Sequence, residues 1–135
     1  MGGYATGYRL EHRVQMLYTK HGWLATRFPM SGRKLYPADV LALKRIGSQT
    51  HVHLVECKNA SKVDRRKNAI YIEAAQIQKL LETAEKHQAL AMVAYSFPHQ
   101  HARVVPAKRL KSSGKMLSIE RKDGVPIKRF LETFT

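Results

Sequence analysis

The 135-residue sequence predicts a mixed α/β fold, a central mixed β-sheet flanked by helices. Three observations predict it. Two stretches, 6–21 and 70–87, carry apolar side chains at helical spacing. Short runs rich in β-branched, aromatic and other apolar residues alternate with them, each bounded by turn residues. Residues 89–97 (ALAMVAYSF) are nearly all apolar, as for a strand covered on both faces. The resulting order, α-β-β-β-α-β-β, packs helices against a sheet.

In the first stretch Leu10, Val14, Leu17 and Tyr18 form one stripe, Thr6 can cap the start and His21-Gly22 ends it. Residues 23–28 (WLATRF) read as a strand, and Pro29-Met30-Ser31-Gly32-Arg33-Lys34 as a polar, basic loop. Residues 38–43 (ADVLAL) and 52–58 read as the next two strands. Gly47-Ser48 between them suits a hairpin turn, which makes the two antiparallel neighbours. Residues 59–68 set Lys62, Arg65, Arg66 and Lys67 against Asp64 alone and read as a basic loop. Ile77, Leu80, Leu81 and Ala84 make 70–87 the clearest helix. Residues 102–105 read as a weaker strand, 116–119 as an edge strand and 127–134 as a short terminal helix. Neither an internal repeat nor a long linker is present. One domain is expected, with a core over about 5–105 and a basic C-terminal extension over 106–135.

The charge balance points to a partner. Lys and Arg number 24 against 10 acids, a formal charge of +14. Such an excess concentrates polyanions at the surface, and nucleic acid is the commonest of them. A charge serving solubility, or a ribosome-associated chain, would look similar. No apolar run approaches the roughly 20 residues of a membrane helix. The first residues lack a basic stretch followed by an apolar one, so no signal peptide is expected and the default location is cytoplasmic. Cellular and viral origins are equally compatible. The single Cys57 excludes an intramolecular disulfide and a cysteine zinc cluster.

Two short segments carry chemistry. Pro37-Ala38-Asp39 and Glu56-Cys57-Lys58 lie in neighbouring strands, and Asp39 falls near Glu56 if the hairpin pairs them. Two carboxylates this close repel unless a cation sits between them. Magnesium suits them, since it takes few protein oxygens and keeps several waters. Strand alternation puts Glu56 and Lys58 on one face and Cys57 on the other. The thiol then reads as a small core residue, while the Cys57 backbone carbonyl stays a candidate ligand. His51 and His53 alternate onto the face opposite Glu56 and read as structural. His99-Gln100-His101 reads as surface. The acid–acid–lysine pattern is short and also arises by chance, as a strand start and a solvated ion pair.

Taken together, Glu11, Arg27, Ser31-Gly32, Pro37-Ala38-Asp39, Val55-Glu56-Cys57-Lys58 and Gln76 resemble the archaeal-type Holliday junction resolvases of the PD-(D/E)xK nuclease superfamily. The resemblance spans about residues 5–97 and implies a restriction-endonuclease-like sheet. It implies that Glu11, Asp39 and Glu56 bind Mg²⁺, with Mn²⁺ a possible substitute, and that Lys58 positions the attacking water. It implies that Gln76 supports the site and that Arg27, Ser31 and Gly32 contact DNA. The neighbouring bases Arg33, Lys34, Lys62, Arg65, Arg66 and Lys67 would extend that contact surface. The chain departs from the family at His12, where Arg usually follows the helix glutamate, and in a longer loop before Asp39.

The reading is therefore a metal-dependent endodeoxyribonuclease that resolves four-way junctions by paired symmetric cleavage. Because one site makes one cut, it is expected to act as a two-fold homodimer. The alternatives are a nuclease of the same superfamily for flaps, nicks or duplex, and a non-catalytic nucleic-acid-binding domain.

Overall fold

In the computed structural model, which describes residues 3–28 and 37–134, a six-stranded sheet divides the molecule into two hydrophobic faces. Helix α1 (Gly3–Lys20) leads into β1 (Leu24–Arg27), then β2 (Val40–Ile46) and β3 (Gln49–Asn59). Helix α2 (Lys62–Lys67), β4 (Ala69–Glu73) and α3 (Ala74–Lys86) follow, then β5 (Leu90–Ser96) and β6 (Arg103–Pro106). A single 3₁₀ turn (Ala107–Arg109), β7 (Lys111–Ser113), β8 (Met116–Glu120), β9 (Val125–Pro126) and α4 (Ile127–Glu132) complete the chain. The large sheet runs β1-β2-β3-β5-β6-β9 and a second sheet runs β4-β8-β7. All pairings are antiparallel except β3 with β5, which makes the central sheet mixed, as the sequence predicts.

Local chemistry accounts for most of these elements. The β2–β3 hairpin closes at Gly47, whose φ of 62° suits a tight turn of that hand. Strand β5 is buried on both faces. Met92 and Ala94 pack toward α1 and α4, while Ala91, Val93 and Tyr95 pack toward α3 and the second sheet. Leu10, Val14 and Tyr18 are the stripe that seats α1, and Ile77, Leu80 and Ala84 seat α3.

The structure corrects four sequence expectations. Helix α1 spans Gly3–Lys20, so Thr6 lies within it and not at its start. The 59–68 segment is not all loop. Residues Lys62–Lys67 form α2, held by a reciprocal cap between Ser61 and Asp64. The expected helix over 70–87 starts only at Ala74, because Ile70 and Ile72 belong to β4 and pair with Ile119 and Leu117 of β8. Ile70 and Ile77 are two helical turns apart, so the helical period runs through the strand without a break. Residues 116–119 form no edge strand, since β8 lies between β4 and β7. Part of the segment expected to be a basic C-terminal extension lies in the core. Ala107 and Ile119 are buried in the α3-side cluster, and Ile127 and Leu131 in the α1-side cluster.

Candidate active site

Strand β3 carries the candidate site, and its register fixes where each side chain points. Glu56 and Lys58 pair with Val93 and Tyr95 of β5, both of which pack on the α3 side. Glu56 and Lys58 therefore project to that side. Cys57 pairs with Ala94 and packs, half-buried, against the α1-side cluster. Glu56 is only 4% exposed, whereas Lys58 is exposed.

Two hydrogen bonds gather the carboxylates. Gln76 Nε2 donates to Glu56 Oε2 at 2.6 Å. Gln76 lies in the first turn of α3, so the positive end of that helix approaches the buried carboxylate, an arrangement that favours an anion. Asp39 lies one residue before β2 and extends its pairing. Its N–H donates to Val55 O and its carbonyl accepts from Phe28 N–H, both at 2.9 Å. Asp39 Oδ2 accepts from Cys57 N–H at 2.8 Å. That amide lies between Glu56 and Lys58, so Asp39, Glu56 and Lys58 meet at one end of β3. The preceding Ala38 is buried in the α3-side cluster and anchors the turn.

The other predicted residues fall as follows. Glu11 is 7% exposed on α1, beside the core residue Leu10, so it is not a solvated boundary residue. Arg27 ends β1 opposite Val40. Lys62, Arg65, Arg66 and Lys67 are all exposed on α2. Ser31, Gly32, Arg33 and Lys34 lie outside the described residues. His53 is buried among Tyr18, Trp23, Phe130 and Phe134, with Nδ1 2.9 Å from the Tyr18 hydroxyl. Its role is structural, as strand parity predicts. His99 and His101 are exposed in the loop after β5.

Sequence reasoning missed the part played by Asp64. Its carboxylate accepts from Ser61 N–H at 2.9 Å and from Tyr71 N–H at 3.4 Å, tying α2 to β4. The signal was present: Ser61-Lys62-Val63-Asp64 has the spacing of a capping box.

The donor set fits a hard divalent cation. Among the described residues no three His, Cys, Asp or Glu side chains form a ready-made cage. Magnesium does not need one, because one or two carboxylates suffice when waters and phosphate oxygens complete its shell. Asp39, Glu56 and the Cys57 carbonyl offer only oxygen.

A mixed sheet flanked by helices, with two acids and a lysine at one end of its central hairpin, defines the restriction-endonuclease-like nuclease fold. The chain belongs to the archaeal Holliday junction resolvase family, whose model matches residues 3–135. Among solved structures it is similar to Hjc, a Holliday junction resolvase from the archaeal hyperthermophile Archaeoglobus fulgidus. The TM-score is 0.74 at 23% identity, over 93% of this chain and 99% of that one. It is also similar to D212, a nuclease from a fusselovirus, with a TM-score of 0.64 at 10% identity over 99% of this chain and 92% of that one. At these identities the likeness is one of fold. Comparison with curated proteins gives no match.

Proposed function

We propose that this chain is a magnesium-dependent endodeoxyribonuclease that resolves four-way DNA junctions by paired symmetric cuts, acting as a homodimer in the cytoplasm. The observation that carries the reading is the bond from Cys57 N–H to Asp39, which brings Asp39 beside Glu56 at the lysine end of β3. Asp39, Glu56, Glu11 and the Cys57 carbonyl would hold the cation, for which Mn²⁺ could substitute. When bound, the cation would supply activation of a water and charge stabilisation at the leaving oxygen. Lys58, exposed beside the acids, orients the attacking water and offsets charge on the phosphate. Gln76 holds Glu56 in place. Arg27, Ser31, Gly32, Arg33 and Lys34 contact the DNA backbone near the cut, and Lys62, Arg65, Arg66 and Lys67 extend that surface. Phosphate contacts of this kind read branch shape and not sequence.

The test is cleavage of a synthetic four-way junction beside linear duplex, flap and single strand, with and without Mg²⁺. Paired nicks in the junction alone, dependent on the cation, are the expected result. Equal cutting of duplex would overturn junction selectivity. Asp39→Asn and Glu56→Gln should bind the junction and fail to cut it. Loss of binding by a folded variant would make these acids structural.

A further inference from the structure

A second basic feature lies away from the carboxylates, on the outer face of the small sheet. Ile70, Ile72 and Ile119 point inward to the core, so Tyr71 and its register partner Ser118 point outward. They floor an open depression of about 400 Å³. The end of α2 forms one wall with Lys67 and Asn68, and the turn after β8 forms the other with Arg121 and Lys122. Three cations face one acid there, Glu120, leaving a local excess of two positive charges.

The cations are arranged, not merely present. Arg121 Nε donates to Asn68 Oδ1 at 2.7 Å, and its guanidinium carbon lies 4.3 Å from the centre of the Phe97 ring. Its carbonyl accepts from the Tyr95 hydroxyl at 3.1 Å. Backbone and fork are thus both held. Among the described residues the two Nη groups have no further hydrogen-bond partner. A planar guanidinium fixed in this way suits phosphate oxygens and has little rotamer freedom left to lose on binding. Lys67 Nζ lies 5.6 Å from the centre of the Tyr71 ring, at the near wall. From Lys67 the exposed Arg66, Arg65 and Lys62 lead back along α2 toward Lys58.

We infer that this depression is a second DNA-backbone contact, in which Arg121 and Lys122 grip a duplex arm of the branched substrate beyond α2. The inference rests on the junction-nuclease reading and deepens it by naming where an arm lies. Duplex is favoured over a small anion because the depression is open and shallow and continues a line of exposed cations. An enclosed pocket would favour the small ligand.

Binding of a fluorescent four-way junction is measured against salt concentration in Mg²⁺-free buffer, with the full-length protein. Each lost phosphate contact should flatten the slope of log K against log salt by about 0.9. Lys122→Ala should therefore reduce the slope by about 1, and Arg121→Gln with Lys122→Ala by about 2. Arg121→Lys keeps the charge but loses the fork, so it should keep the slope and weaken affinity several-fold. Lys86→Ala, at the far end of α3, serves as the control. Unchanged slopes in variants that melt like wild type would overturn the contact. If wild type itself neither prefers nor cuts junctions, the nuclease reading fails first. If wild type cuts and only these slopes are unchanged, this inference alone fails.

Discussion

Glu56 is a carboxylate kept out of water by the core, and the Gln76 amide donates a hydrogen bond to it. Burying such a group without a donor is costly, so Gln76 is as much a part of the site as the acid it touches. Gln76→Leu fills similar space and removes the donor. It should cost about 1–3 kcal/mol of stability, read by denaturant unfolding. It should also raise the Mg²⁺ concentration needed for half-maximal cleavage, since Glu56 would lose its fixed position. A variant with the wild-type metal profile would leave Gln76 a purely structural residue. Asp39 differs in kind, because a backbone amide of β3, which no side-chain substitution deletes, donates to it. Its placement is therefore a consequence of the hairpin register.

Among the elements, α2 depends most on a few atoms. Six residues are too few to form a helix alone, and four of these six are basic. The Ser61–Asp64 cap and the bond from Tyr71 N–H to Asp64 supply what length does not. Asp64→Ala should cost about 1–2 kcal/mol in unfolding experiments. It should also lower junction affinity, although it removes a negative charge from a segment proposed to contact DNA. Simple electrostatics predicts the opposite sign, so tighter binding would show that α2 need not be folded to bind. The strand β4 beside it teaches a related lesson. Residues 69–73 form a strand because β8 supplies their partner, not because their own pattern excludes a helix.

For the whole molecule, the decisive packing joins the ends of the chain. Lys44 Nζ donates to His21 O at 2.7 Å and to Phe134 O at 2.8 Å, fastening the C-terminus to the turn after α1. His53 sits within that junction, between residues of α1 and α4. Burial, reinforced by repulsion from His51, pushes its pKa down from 6.5 to about 4. The native state therefore refuses a proton that the unfolded chain accepts. The stabilisation is full above about pH 6.5 and is lost as pH falls toward 4, by up to ~3 kcal/mol. Carboxylates titrate in the same range, so the measurement is a comparison. Urea midpoints at pH 7 and pH 4.5 should fall further for wild type than for His53→Phe. Equal falls would show that His53 is protonated in the native state.

The mixed α/β class, the β2–β3 hairpin, the doubly buried β5 and the side of β3 on which Glu56 and Lys58 stand are all legible in the sequence. All of these follow from short-range rules: a turn glycine, a period of two and an apolar run. The sequence also carries enough of the family's residues to be recognised as one of its members. The folded arrangement is needed to see that Gln76 bonds Glu56, that Asp39 reaches the amide between Glu56 and Lys58, and that 107–134 contributes to both hydrophobic faces. It alone brought Asn68 to Arg121, 53 residues apart. The physical reason is common to all four. Each joins groups far apart along the chain, and strand pairing and burial choose such partners, while local periodicity records only which face a residue occupies.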